Sequence, residues 1–343
     1  MSLRLIEIIL PETENLERLR ELLEDEPIIE IWEDLISGDR ILIEILVKAE
    51  ESEKILDLLE KRFSKADHFR IILLPVEASI PRPEKPKKED EEDESSEAAN
   101  GKEENSNVGR ISREELYANM DGNANITSVY LVMVVLSSIV ASIGILKDNV
   151  AIIIGAMVIA PLLGPNMALA LGTTLGDTDL IGRALKANLA GIAATLVLSI
   201  VIGIVFAVDP AIGELSSRTQ VGLGDIAIAL AAGVAGTLSF TKGLPSALIG
   251  VMVAVALLPP TVTVGMLLGS NNMALVPGAV QLVLVNIICV NLAGVTTFFF
   301  KGVRPRTWWE TKKAQKATRT AIIIWSVLLI ILVATILKSQ GYL

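Results

Sequence analysis

Seven apolar stretches, each long enough to cross about 30 Å of hydrocarbon, follow one another over the last two thirds of this chain. They run from about Ile126 to Leu146, Asn149 to Gly172, Leu185 to Val208, Val221 to Phe240, Leu244 to Leu268, Met273 to Phe300 and Ala321 to Leu337. Lipid offers backbone N–H and C=O groups no water to bind, so such stretches must satisfy their own hydrogen bonds as helices. The 51% hydrophobic content of the 343 residues therefore averages two different polymers, because charged residues crowd the first part and almost vanish from these stretches. Much of the acid behind the net charge of −10 lies in one run, Glu89 to Glu97, with Glu103 and Glu104 beyond it, which reads as a solvated tether.

Residues 1–80 have a different pattern. Short apolar or alternating runs at Arg4 to Leu10, Ile28 to Asp34, Arg40 to Val47 and His68 to Val76 predict four strands. Glu14 to Glu24 carries Leu16, Leu19, Leu22 and Leu23 on one helical face, and Glu51 to Phe63 carries Ile55, Leu56, Leu58 and Leu59. The resulting β-α-β-β-α-β order is the split βαβ, or ferredoxin-like, α+β pattern. Arg4, Glu7, Glu12 and Glu14 interrupt any apolar leader core, so no cleavable signal peptide is expected and this domain should stay in the cytosol. Residues 81–110, opening on Pro81, Pro83 and Pro86, read as an acidic flexible linker. Over 111–125 the capping-box spacing of Ser112 and Glu115, with Leu116, Tyr117 and Met120 as an apolar edge, predicts a helix along the membrane surface.

The second apolar stretch reappears in the fifth. Lys147, Ile154, Gly155, Met157, Val158, Leu162, Leu163 and Pro165 recur as Lys242, Ile249, Gly250, Met252, Val253, Leu257, Leu258 and Pro260, an offset of 250 − 155 = 95 residues without a gap. Leucine and valine matches come easily in membrane helices, whereas Gly, Met, Pro and Lys in register indicate a duplication. Residues 126–208 and 221–300 then each hold three spans, and an odd number inserts the second copy upside down, giving a 3+3 inverted repeat plus one extra helix in 321–343.

Orientation follows from the basic segment 301–320, with Lys301, Arg304, Arg306, Lys312, Lys313, Lys316 and Arg319, which should be cytoplasmic. Counting back puts the N-terminal domain inside, Arg183 and Lys186 inside, the loop 209–220 with Asp209 and Glu214 outside, and the C-terminus outside. The expected location is the plasma membrane. A competing topology makes stretches two and five re-entrant hairpins turning at Gly164–Pro165 and Pro259–Pro260, but it reverses the charge bias.

Prolines interrupt both matched stretches. Pro161 and Pro165 should free the carbonyls of Met157 and Pro161, and Pro259 and Pro260 those of Val255 and Ala256. In lipid a break persists where it is packed in protein or lines a wet cavity, so the matched pair marks a candidate pathway: Gly155, Met157, Pro161, Gly164, Pro165 and Asn166 against Gly250, Met252, Pro259, Pro260 and Thr261. Asn149, Asn188, Asn286 and Asn291 are candidate polar lining, with helix–helix hydrogen bonding as the alternative role. Cys289 is alone and His68 has no partner nearby, so neither metal nor cofactor is expected. No acid or histidine sits mid-span as a proton relay would need, no Gly-Lys-Ser/Thr phosphate loop is present, and no catalytic arrangement is visible, so enzyme activity is not expected.

The run LSSIVASIGILKDNVAI followed by IGAMVIAPLLGPNMALALG resembles the domain of unknown function 389 family of prokaryotic membrane proteins, an uncharacterised hydrophobic domain. The resemblance spans about Glu114 to Phe300, centred on Asn149, Gly155, Met157, Pro161, Gly164 and Pro165. Residues 1–80 look like the N-terminal domain of archaeal and bacterial members. It implies the membrane fold and brings no substrate. The residues themselves point to a channel or secondary transporter for a small solute or ion, gated or assembled through the cytosolic domain. The alternative is a non-transporting receptor or scaffold whose soluble domain senses a ligand. Expected partners are the lipid bilayer, an unidentified solute or ion and further copies of the chain as a homo-oligomer, with no nucleic acid.

Overall fold

The structure is a computed structural model and describes residues 3–11, 19, 22–23, 26–36, 40–64, 69–76, 111–206, 208–244, 257–305 and 308–340. The chain forms two compact units, Met1–Glu115 and Leu116–Leu343.

In the first unit, β1 (Leu3–Pro11), β2 (Ile28–Ile36), β3 (Arg40–Lys48) and β4 (Arg70–Val76) pair antiparallel in the order β2-β3-β1-β4. This is the order the split βαβ reading requires. Period-two alternation puts Ile6 and Ile8 of β1 beside Ile43 and Ile45 of β3 on one face, all fully buried. Helix α1 (Ser52–Phe63) lays Ile55, Leu56, Leu59 and Phe63 on that face. Of the first expected helix, only residues 19, 22 and 23 are described; they are helical, and Leu19 and Leu23 join the same core. The linker 81–110 lies outside the described residues.

The chain resumes at Ile111, and α2 (Arg113–Asn123) starts where the capping residues predict. Ser112 Oγ accepts from the Glu115 amide at 3.2 Å, but the return arm of the capping box is not made. The Glu115 carboxylate instead takes both prongs of Arg4, Nε at 2.8 Å and Nη2 at 2.6 Å, because a charged guanidinium fork outbids a neutral amide donor. Of the expected apolar edge, Leu116 and Met120 are fully buried in protein and Tyr117 is half-buried.

The second unit contains α3 (Ser128–Leu146), α4 (Val150–Ile159), α5 (Leu163–Leu175), α6 (Thr178–Val205), α7 (Gly213–Ser216), α8 (Leu223–Thr241), α9 (Leu258–Gly269), α10 (Val276–Phe300) and α11 (Trp308–Ser339). Helices α3, α6, α8, α10 and α11 are long and apolar enough to cross a membrane, and α4 with α5, bent by 51° at their junction, make a sixth if taken as one span. The fifth expected span is described only from Leu257, where α9 begins, and residues 245–256 lie outside the described set. The basic segment expected as a loop to residue 320 is already helical from Trp308; its Lys, Ala and Gln residues are good helix formers.

Hydrogen bonds identify which helix ends share a side of the bundle. Tyr117, before α3, donates its hydroxyl to Asp177, which caps the start of α6, at 2.7 Å. Asp148, after α3, accepts from the Glu214 amide, beyond α6, at 2.7 Å. Helices α3 and α6 therefore run in the same direction, and α4–α5 must return across the bundle between them. Re-entrant hairpins would separate Asp148 from Glu214 by the bundle's depth, so that topology does not describe the second stretch. At the Asp177 end, Thr318 of α11 donates to the Thr174 carbonyl at the close of α5, 3.2 Å away. At the Asp148 end, Gln340 donates to the Val221 carbonyl just before α8, 2.9 Å away.

Helix bounds also recur 95 residues apart. Ser128–Leu146 corresponds to Leu223–Thr241, the start of α5 at Leu163 to the start of α9 at Leu258, and the end of α6 at Val205 to the end of α10 at Phe300. The backbone matches at the joints: Asp148 (φ 49°) with Gly243 (φ 69°), and Gly176 (φ 71°) with Asn271 (φ 60°).

Small residues let these helices approach closely. A Cβ on Gly294 of α10 would stand 2.8 Å from Ala170 Cβ of α5, and one on Gly265 of α9 would stand 2.7 Å from Ser199 Cβ of α6. Gly203 of α6 is approached by backbone, with Met266 Cα 2.9 Å from where its Cβ would be, whereas Gly155 has nothing within 4 Å. Gly203→Val is expected to destabilise the bundle by about 1–3 kcal/mol through overpacking, and Gly155→Ala to be neutral or stabilising by up to about 1 kcal/mol. Denaturant titration of the full chain in micelles checks both; equal stability losses would refute the close approach of α6 and α9.

Candidate functional site

The interruption between α4 and α5 sits deep in the bundle. The 10 residues of α4 rise about 15 Å, roughly half of a 30 Å hydrocarbon layer, before the chain turns at Ala160, Pro161 and Leu162. Helix α5 restarts with Pro165 in its first turn, where an amide N–H has no intrahelical partner, so the proline breaks no bond. Pro259 and Pro260 occupy the first turn of α9 in the same way.

A polar side chain uses the carbonyl at each restart. Asn166 Nδ2 donates to the Leu162 carbonyl at 2.9 Å, and Thr261 Oγ1 donates to the Leu257 carbonyl at 2.7 Å, positions again 95 residues apart. Asn166 does more. Its Nδ2 also donates to Asn188 Oδ1 of α6 at 2.7 Å, and its Oδ1 accepts from Asn291 Nδ2 of α10 at 3.0 Å. Asn291 Nδ2 is held in turn by the Ile287 carbonyl at 2.9 Å. The two backbone carbonyls fix which way Asn166 and Asn291 point, so the amide orientations follow from the network rather than from choice.

The three asparagines form a chain of one polarity, Asn291 to Asn166 to Asn188, with an unused group at each end. Asn188 Nδ2 and Asn291 Oδ1 are buried without a hydrogen-bond partner among the described residues, as is Thr263 Oγ1 of α9. Asn291 is 0% exposed, Asn166 4% and Asn188 7%. An unsatisfied buried donor or acceptor costs about 1–3 kcal/mol, so this chain ends in two groups poised for a ligand or water. Met157, Leu162, Leu257, Leu258 and Val262 pack in one apolar core around the restarts.

The other sequence-derived candidates take different places. Asn149 is exposed and caps α4, its Oδ1 accepting from the Ile152 amide at 3.1 Å, so it does not join the chain. Asn286 is buried in α10. Gly155 is exposed on α4, Met157 is buried in the same helix, and Gly164 makes room for the end of α2, a Cβ there coming within 2.9 Å of Asn123 Cβ. Gly250 and Met252, with the carbonyls of Val255 and Ala256, lie outside the described residues.

A bundle of long apolar helices around a buried chain of amides defines a polytopic membrane protein. The chain belongs to the family described as Domain of unknown function (DUF389), whose model matches residues 157–292, a range that contains all three asparagines. It is 35% identical to an uncharacterised protein of Methanocaldococcus jannaschii over 301 residues, 88% of this chain and 89% of that one. No solved structure matches it.

The chain's centre and its end should respond differently to substitution. Asn166→Ala strands partners on both sides and is expected to lower stability by about 1–3 kcal/mol. Asn188→Leu removes an orphaned donor together with one acceptor, and its loss should be under about 1 kcal/mol. Unfolding of the purified full chain in micelles measures both, and a reversed order would refute the hydrogen-bond polarity given above.

Proposed function

We propose that this protein is a membrane channel or secondary transporter for a small polar solute or ion, seen in a closed state, with Asn166, Asn188 and Asn291 as its polar station. The observation that carries the proposal is the pair of amide groups, without a partner among the described residues, at the ends of a buried chain beside a helix break. Packing alone would favour apolar residues there, since a half-satisfied buried network is worse than none. A neutral donor and acceptor suit a dipolar solute or a partly dehydrated ion, and no titrating group is needed at the station.

The scaffold we propose is a seven-helix bundle with a 3+3 inverted duplication and one further helix, α11. Three features support it. The helix bounds coincide at 95 residues, the joints share positive φ, and the two sets start at opposite ends, α3 at the Asp177 end and α8 at the Asp148 end. A two-fold relation would also require contacts in reciprocal pairs, and Gly294 against Ala170 with Gly265 against Ser199 is such a pair, since 170 + 95 = 265 and 199 + 95 = 294.

In this reading the Asp177 end faces the cytoplasm. Arg183, Lys301, Arg304, Lys316 and Arg319 gather there, whereas Asp209 and Glu214 lie at the other end, as the positive-inside bias requires. The first unit then serves as a cytosolic regulatory or assembly domain. Helix α11, with only 11% of its apolar window buried, offers the surface for lipid or for another protomer in a homo-oligomer.

A second reading, a non-transporting receptor or scaffold, is favoured by one observation: the packed leucines at the two restarts. Reconstituted flux separates the two. Proteoliposomes of the wild-type chain should pass at least one of urea, glycerol, K⁺ or Cl⁻ faster than empty vesicles, and Asn188→Leu should reduce that flux at least ten-fold while the fold survives. If all four probes leak equally from both, the transport reading fails and the receptor reading stands.

A further inference from the structure

We infer that the cleft between the end of α10 and the Ala314 to Ile323 stretch of α11, at the Asp177 end, binds the phosphate headgroup of an anionic phospholipid. The cleft is a cavity of about 690 Å³ whose lining includes Arg304, Lys316 and Arg319 and, among the described residues, no acidic one. Lys316 and Arg319 have no ion-pair partner among the described residues. Lys316 and Arg319 stand one turn apart on the exposed flank of α11 and repel each other, and an anion between them reverses the sign.

The rest of the lining selects a lipid rather than a free anion. Phe299, Ile322 and Ile323 form an apolar wall, and Phe299 and Ile323 are 46% and 56% exposed, continuous with the bare flank of α11. A dissolved phosphate has no use for such a wall, whereas a phospholipid places acyl chains against it while its phosphodiester meets the cations. The depth is also right: Arg319 immediately precedes the uncharged run from Thr320 to Leu337, so its guanidinium stands where headgroups meet hydrocarbon. The shape is held by packing at its back, where Thr318 bonds the Thr174 carbonyl and Ala314 Cα stands 3.1 Å from where a Cβ on Gly176 would lie. This site rests on the membrane assignment alone and is independent of the amide chain and of transport.

Native mass spectrometry of the full chain, incubated with phosphatidylglycerol or phosphatidylcholine in mild detergent, tests it. Wild type is expected to retain phosphatidylglycerol and not phosphatidylcholine. Each cation should contribute about five-fold in retention, so Lys316→Gln with Arg319→Gln should lose about 25-fold, and Lys316→Arg with Arg319→Lys should keep the lipid. Thermal unfolding in phosphatidylcholine nanodiscs should be the same for wild type and the glutamine pair. Equal retention of both lipids, retention unaffected by the glutamine pair, or loss of lipid in the charge-keeping pair would each overturn the assignment. Displacement of phosphatidylglycerol by millimolar inorganic phosphate or glycerol phosphate would overturn it too, by assigning the cleft to a soluble phosphate.

Discussion

A peptide group in hydrocarbon must find its hydrogen-bond partner within the protein, and the second unit is organised by that requirement. It makes the apolar stretches helical and leaves few places where a helix can stop. The stop between Ile159 and Leu163 is tolerated because the chain restarts with Pro165 in a first turn, where its missing N–H leaves no bond unmade. The carbonyl at each restart is then used by a side chain, Asn166 on Leu162 and Thr261 on Leu257, and at Leu257 by the helix as well, through the Thr261 amide. The prolines that read as helix breakers act as helix starters.

Once a polar side chain is brought to a restart, it draws in others. Asn166 has more donor and acceptor capacity than one carbonyl absorbs, and burying the remainder unpaired would cost about 1–3 kcal/mol for each group. Asn188 and Asn291 meet that need from two neighbouring helices, and the deficit moves outward to Asn188 Nδ2 and Asn291 Oδ1. A charged residue at this place would need a fixed counter-ion. Amides leave the station neutral, with both a donor and an acceptor to offer.

Much of this was legible before the coordinates. Strand runs at Arg40 to Val47 and His68 to Val76 and the Ser112 cap follow from local chemistry, and local chemistry is what a sequence displays, whereas the break expected at Gly164–Pro165 falls before Leu163. The convergence of Asn166, Asn188 and Asn291 was not legible, because partners 22 and 125 residues apart depend on which helix faces pack. Asn149 could not be told from a lining residue, since a cap and a pore asparagine differ only in what they meet. The re-entrant alternative for the second stretch stayed open for the same reason. Two hydrogen bonds, Tyr117 to Asp177 and Glu214 to Asp148, decide against it, and neither is encoded in hydropathy.

The proposed duplication explains the scaffold but not the station. The counterparts of Asn166, Asn188 and Asn291 at 95 residues are Thr261, Val283 and Leu196, and the last two pack into the apolar core. Symmetry in the helix bounds and glycine contacts therefore coexists with asymmetry in the polar groups. A shared backbone plan keeps both restarts viable in lipid, while divergence at three side chains leaves the chain of amides without a second copy. The chain of amides is offset toward the end that carries Arg183 and Asp177, because Asn188 directly follows Ala187, whose carbonyl takes the Tyr130 hydroxyl near the start of α3. In the proposed function, opening the site would separate α5 from α10, the two helices that carry Asn166 and Asn291 and that touch through Ala170 and Gly294.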